Sequence, residues 1–419
     1  MFTYIFMGMA PYVQYRLDVV PGTTPYVDES LYPAAAGVVL VCSGAAVIGA
    51  LLAGQRRRGV KVMRASVVSP RRANLLTTVA VLLFIYHVSQ IGLGAFFMSR
   101  GELGQLRTSV WPDSTQATLV IGSLQMCLLV GFLAQMAVRQ QRQASGVKAS
   151  LLPAVLNGAL LLYVVNPISS PRYVFGTVIL AVLATLGAYA TLNRFRVMAV
   201  AAMAGMLLIF PLADLFRRTT EATLTVEGPV TALTSGDFDA FVQLTNSLDY
   251  VSTNGVTFGR QFLGVLFLWV PRSVWPDKPT ATGALLAEHM GYSFTNLSAP
   301  IWAELFINFG WIGAVLGMGL VGYWFRIWDV RTDVYLRTSR MPTIAVSATA
   351  FYMVIFLRGS LLAVSSLLLL ILLAAWFVKE RRSQLRHGGR PRVEHRRKAG
   401  QMVLGRQARQ VEVVPSRKR

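Results

Sequence analysis

The strongest constraint in this sequence is the recurrence of apolar runs near 20 residues long, the length a helix needs to cross a bilayer core of about 30 Å. They fall at about 34–54, 73–98, 117–138, 150–166, 173–192, 197–213, 300–325, 343–357 and 360–378. Two are near the lower limit of length. Within hydrocarbon every backbone polar group needs a partner from the chain itself, so such runs are helical. The expected fold is an all-α polytopic integral membrane protein with about 9–10 transmembrane helices. The tenth depends on Met1–Val13, which is too short to span and reads as an interfacial helix or as what remains of a longer span. Composition agrees: 54% of the 419 residues are apolar and 14% charged, against roughly 25% charged in an ordinary soluble domain. A soluble globular enzyme and a disordered chain are both excluded.

Charge sets the direction of the spans. The loop 55–72 carries Arg56, Arg57, Arg58, Lys61, Arg64, Arg71 and Arg72 with no acid. Loop 139–149, the turn with Arg194 and Arg196, the stretch after span seven and the tail 379–419 are likewise basic. Cytoplasmic loops concentrate Lys and Arg. Placing these segments inside collects 30 of the 40 basic residues there and only five of the 19 acidic ones. The C-terminus is then cytoplasmic, and residues 214–299 form the one large outer loop. Its apolar run Phe262–Val270 is too short to cross and reads as a re-entrant or interfacial element lining a cavity. The division expected is a single transmembrane domain over 1–378 and a basic, unstructured tail over 379–419 that contacts anionic lipid. Nothing aromatic interleaves the tail charges, so nucleic acid is not an expected partner.

Familiar motifs are weak here. Gly317-Met318-Gly319-Leu320-Val321-Gly322 has dinucleotide-loop spacing but lies inside a span, with no strand before it. Gly313 and Gly317 read instead as small residues permitting close helix contact. Cys42 and Cys127, both within apolar runs, exclude a disulfide framework and a thiolate-rich metal site, and four scattered histidines argue against zinc. No metal and no cofactor is expected. There is no P-loop for an ATP-driven pump. His87 lies mid-span and reads as a packed, hydrogen-bonded side chain.

The informative anomaly is a set of cations on the outer side, where the orientation rule disfavours them: Arg172, Arg217, Arg218, Arg260, Arg272, Lys278 and Arg358. Most sit at a membrane boundary, where charge is costly and marks function. Arg272 and Arg358 lie in Pro- and Gly-containing turns. Guanidinium grips phosphate bidentately, so arginines gathered on one face suit a diphosphate at the outer leaflet. Among carboxylates, Asp237 and Asp239 sit in the outer loop, and Glu304 about one turn into span seven. At that depth Glu304 demands a partner, for which one of the arginines is the candidate. Glu304 or Asp239 could activate a hydroxyl, with His289 as a third choice of base.

The stretch from Phe238 through Gly322 resembles the bacterial O-antigen polymerases, the Wzy-type oligosaccharide repeat-unit polymerases. The residues that carry the resemblance are Phe258-Gly259-Arg260, the run Val270-Pro271-Arg272-Ser273-Val274-Trp275-Pro276-Asp277-Lys278-Pro279, Thr282-Gly283, and Glu304-Leu305-Phe306-Ile307-Asn308-Phe309-Gly310. Further matches are Asn166-Pro167 with Arg172, Phe210-Pro211 with Arg217, and Arg358-Gly359-Ser360. The resemblance implies an enzyme of polysaccharide biosynthesis that joins oligosaccharide units carried on undecaprenyl diphosphate, at the outer face of the cytoplasmic membrane. It implies membrane lipid as a partner, with a flippase and a chain-length regulator as protein partners. Arg272, Arg260 and Arg358 become the candidates for holding the leaving diphosphate, beside the catalytic carboxylates and His289. Arg172, Arg217, Lys278, Trp275 and Asn308 become candidates for substrate binding. The alternatives are a flippase or transporter of the same lipid-linked sugars, or a ligase using the same donor.

Overall fold

The computed structural model describes residues 2–55, 67–205, 229–336 and 342–380. Among them the chain is helical, with one isolated antiparallel bridge between Val68 and Lys379. The helices that matter are α1 (Tyr32–Gln55), α2 (Pro70–Ile91), α3 (Arg100–Val110), α4 (Ser114–Ala144), α5 (Leu152–Val164), α6 (Arg172–Thr185), α7 (Leu192–Ala204), α8 (Ala240–Asn254), α9 (Arg260–Leu266), α10 (Thr282–Met290), α11 (Ile301–Leu336), α12 (Ile344–Thr349), α13 (Tyr352–Arg358) and α14 (Leu361–Val378).

Among the described residues five stretches, built on α1, α2, α4, α11 and α14, are long and apolar enough to cross a membrane. At 1.5 Å per residue the 22 residues of α2 cover about 33 Å. The chain is therefore an all-α, multi-pass membrane protein. The remaining apolar runs take other forms. α5 and α6 are apolar helices of 13 and 14 residues, the run 343–357 is divided between α12 and α13, and the run 197–213 is described only as far as 205. Much of the basic loop and nearly all of the basic tail, like Arg217 and Arg218, lie outside the described residues.

α11 is two helices in one. At Gly310 the backbone takes φ 63° and ψ −155°, a conformation natural to glycine. Residues 301–308 ahead of the break are all buried, whereas Ile312, Leu316, Leu320 and Trp324 beyond it are exposed. Glu304 thus belongs to a short buried helix that precedes the long apolar one.

The glycines of α11 divide their work on either side of that break. A Cβ on Gly313 would meet the Phe309 side chain, and one on Gly317 the Leu305 side chain. Those two positions make room for the segment before the break, so the close contact they permit is with the short helix that precedes it. The close crossing of α1 and α11 is built elsewhere. A Cβ on Gly322 would lie 1.9 Å from the Ala46 carbonyl oxygen, and one on Gly49 1.9 Å from that of Gly319.

The described part of the long connection expected to be the outer loop, 229–299, contains a helix that the sequence reading did not separate. In α8 every residue from Ala240 to Leu248 is buried, including Gln243, Thr245, Asn246 and Ser247. The Gln243 amide donates to Thr24 Oγ1, the Asn246 amide donates to Gln243 Oε1 and the Tyr292 hydroxyl, and the Thr245 and Ser247 hydroxyls donate to carbonyls of their own helix. Residues 2–16 form a helical arm whose Gln14 amide donates to the carbonyls of Leu233 (2.8 Å) and Phe238 (3.1 Å). Phe6 of the arm stacks on Phe238 at 5.0 Å. The expected re-entrant run Phe262–Val270 becomes α9 followed by turns, with Leu263, Leu266, Phe267 and Trp269 exposed.

Candidate functional site

Four clusters hold the residues singled out from the sequence. The first is the turn that joins α9 to α10. Two positive φ values, 48° at Phe258 and 85° at Gly259, turn the chain so that Arg260 begins α9. Arg260 Nη2 donates to the Asp277 carbonyl at 3.2 Å. Arg272 donates to the carbonyls of Lys278 (2.7 Å) and Pro279 (3.2 Å). Lys278 Nζ donates to those of Leu268 and Val270, both at 2.8 Å. Half-buried Trp275 closes the turn, its backbone N–H donating to Pro271 O. Three cations thus surround one turn, held by carbonyl oxygens. None of the three is ion-paired with a carboxylate of the described residues. Burial first, and the Arg272 charge second, hold the Lys278 ammonium below its ordinary pKa, with Asp113 opposing them. Arg272 and Lys278 line a cavity of about 200 Å³ together with Thr115, Thr118, Leu362 and Ser366. Those four belong to the first two turns of α4 and α14.

The second cluster is a buried lock on the other side of the same segments. Glu304, 1% exposed, accepts from Thr282 Oγ1 at 2.8 Å through Oε2 and from the Leu361 N–H at 2.7 Å through Oε1. Its partners are therefore a hydroxyl and the start of α14, where the expectation was an arginine. The Ser360 hydroxyl accepts from the Gly283 N–H at 2.7 Å. Asn308 ties this helix to α9: its Nδ2 donates to Glu304 O at 2.7 Å, and its Oδ1 accepts from Thr257 Oγ1 at 3.2 Å and Phe262 N at 3.4 Å. Ala281 and Leu362, neighbours of Thr282 and Leu361, line the cation cavity.

The third cluster is a double ionic clip. Arg358 Nη2 donates to Asp239 Oδ1 at 3.0 Å and to Gly236 O at 2.9 Å. Asp239 Oδ2 accepts from Ser298 N at 3.1 Å. Arg172 pairs with Asp237. Carboxylates two residues apart therefore hold the segment ahead of α8 to the start of α6 and the end of α13. The fourth cluster is His289 at the end of α10. Its Nε2 lies 2.8 Å from Asp249 Oδ2 and its Nδ1 3.3 Å from Asn254 Nδ2, with the Tyr250 ring edge-on at 5.2 Å.

The fold thus brings Arg260, Arg272 and Lys278 together and sets Arg358 and Glu304 at the two ends of one short turn. It leaves Arg172 in its own ion pair. His289 lies seven residues beyond Thr282 along α10, about 10 Å. Sequence reasoning did not pick out Thr115, Thr118, Ser366, Thr282, Ser298 or Ser360 for the site. They stand in ordinary apolar or loop contexts, and only the packing of distant segments brings Thr282 to Glu304, Ser360 to Gly283 and the Ser298 N–H to Asp239. Among the described residues no three His, Cys, Asp or Glu side chains group as a metal site requires. No protein-family model matches the chain, and no curated protein or solved structure is detectably similar to it.

Proposed function

We propose that this protein is a membrane glycosyltransferase that polymerises oligosaccharide repeat units carried on a polyprenyl diphosphate, undecaprenyl diphosphate in the family it resembles. It works at the outer face of the cytoplasmic membrane, with its C-terminus inside. The observation that carries the reading is the cation turn: Arg260, Arg272 and Lys278 converge without an ion-paired carboxylate among the described residues, and Arg272 and Lys278 line a cavity with residues of α4 and α14. An anion relieves both the burial of Lys278 and its repulsion from Arg272. In transfer, the diphosphate gains charge as the bond to the sugar breaks, and donors already aimed at it stabilise that charge. Arg358 and Arg172 have a different task in this reading. Neutralised by Asp239 and Asp237, they hold the outer loop over the cavity. A transporter needs polar groups along a path through the bilayer; the unusual charges here gather at one level, which favours the transferase.

The test is Arg272→Lys. Lysine keeps the charge but loses the planar fork that makes two hydrogen bonds at once. Losing one such donor costs on the order of 3 kcal/mol, about a hundredfold in rate. Long surface glycan should disappear from a deletion strain carrying Arg272→Lys, at unchanged protein level in membranes. Arg331→Lys, on an exposed stretch of α11, should remain silent. Normal glycan length from Arg272→Lys at equal abundance refutes the reading.

A further inference from the structure

Joining two sugars requires a group that takes the proton of the incoming hydroxyl. Glu304 and Asp239, the carboxylates first suggested for this, are each 1% exposed. All four of their oxygens already accept a hydrogen bond from the protein. Neither can meet a substrate hydroxyl without breaking the lock or the clip that it forms.

We infer that the Asp249–His289 pair is the acid–base centre of the outer loop, with His289 Nδ1 as the base and Asp249 as the positioning residue. The inference rests on the transferase reading above. The hydrogen bonds fix the atoms. Asn254 Nδ2 is a donor, so its contact with Nδ1 requires that nitrogen to carry its lone pair. The ring proton then lies on Nε2 and is donated to Asp249 Oδ2 at 2.8 Å. This is the neutral tautomer that a general base needs, held by a carboxylate as in hydrolases that use an Asp–His pair. Tyr250, next to Asp249, packs its ring edge-on against the imidazole. Asp249, Tyr250 and Asn254 all come from the last part of α8, whose preceding turns are wholly buried, so the imidazole is set by a rigid element. The His289 side chain keeps 17% exposure and Asp249 32%. The Nδ1 contact is the looser of the two, at 3.3 Å, from an exposed amide that also donates to Tyr250 O. A sugar hydroxyl can replace that amide without disturbing Asp249.

α10 sets the distance. It begins at the wall of the cation cavity and ends at His289, about 10 Å further on. A diphosphate in the cavity carries its first sugar outward over this span. The acceptor hydroxyl gives its proton to His289 Nδ1 as its oxygen bonds to the donor's anomeric carbon. The bond from that carbon to the diphosphate oxygen breaks, and its electron pair leaves with the polyprenyl diphosphate. The imidazolium so formed faces Asp249, and the new negative charge faces Arg272 and Lys278.

The experiment uses the full-length protein in lipid nanodiscs with a polyprenyl-diphosphate-linked repeat unit as sole substrate. His289→Ala should slow elongation at least a hundredfold, and imidazole added to the assay should restore a measurable part of the rate. Asp249→Asn should lower the saturated rate more than tenfold at unchanged half-saturating substrate, and Asp249→Glu should recover most of it. Wild-type elongation by His289→Ala, or a loss that imidazole does not restore, overturns the assignment. Arg272→Lys in the same preparation separates the two ideas: if it is defective, the transferase reading survives the failure of this one; if it is normal, the reading itself has failed.

Discussion

Replacing Gly322 by alanine adds one methyl group where α11 crosses α1. The new Cβ would lie 1.9 Å from the Ala46 carbonyl oxygen, 2.6 Å from its carbon and 2.8 Å from its Cα. All three are backbone atoms, so no side chain can swing aside. An ordinary C–H···O contact needs about 3.3 Å, so the two helices must separate by roughly 1.4 Å along that line. A gap of about 0.5–1 Å already forfeits a quarter to a half of each dispersion contact nearby, and between helices in lipid such packing is the main attraction. Overpacking of this kind costs typically 1–3 kcal/mol, and rigid backbone on both sides argues for about 3 kcal/mol. At roughly 2 °C per kcal/mol for a chain of this size, thermal unfolding in detergent should fall by about 6 °C. Gly319 is the internal control: a Cβ there meets Ala45 O at 3.6 Å, an ordinary contact. Gly319→Ala should hold or slightly raise the unfolding temperature through helix propensity. Equal behaviour of the two variants, or an unchanged Gly322→Ala, refutes the crossing described here.

The lock and the clip make their own predictions. Glu304→Leu removes both acceptors and leaves the Leu361 N–H and the Thr282 hydroxyl buried without them. Stranding a buried donor costs about 1–3 kcal/mol, so thermal unfolding in detergent should fall by a few degrees; full stability with lost glycan synthesis would instead assign Glu304 a chemical role. Asp239→Asn strips the counter-charge from Arg358, whose side chain is 19% exposed. Breaking a mostly buried pair from one side costs on the order of 3 kcal/mol, against at most about 1 kcal/mol for Asp237→Asn in the more open pair with Arg172. Limited proteolysis should therefore cut the outer loop faster in Asp239→Asn than in Asp237→Asn, and the reverse order would refute the clip.

Apolar run length by itself determined that the chain is helical and lies in a membrane. That holds because a helix in hydrocarbon must satisfy its own backbone, whatever surrounds it. The turn Pro271–Pro279 was also legible, since prolines and an aspartate specify a rigid connection and its cations stand out on a side that disfavours them. Hydropathy hid α8: its buried face includes Gln243, Thr245, Asn246 and Ser247, which read as loop until Thr24 and Tyr292 arrive from far away in sequence to pair with Gln243 and Asn246. Phe241, Leu244 and Leu248, three and four apart, followed by Gly255, were the signal available. The roles of charged side chains were less legible still. Glu304, Asp239 and Asp249 are alike as letters, yet one caps the start of α14, one holds Arg358 and one orients His289. Only the tertiary structure decided among these, because a carboxylate's chemistry depends on which donors reach its oxygens and on how much water remains, and both are set by segments up to 119 residues apart in the chain. The glycines make the same point: Gly317 and Gly322 lie on one helix five residues apart, and the break at Gly310 gives the first to its own chain segment and leaves the second to face α1.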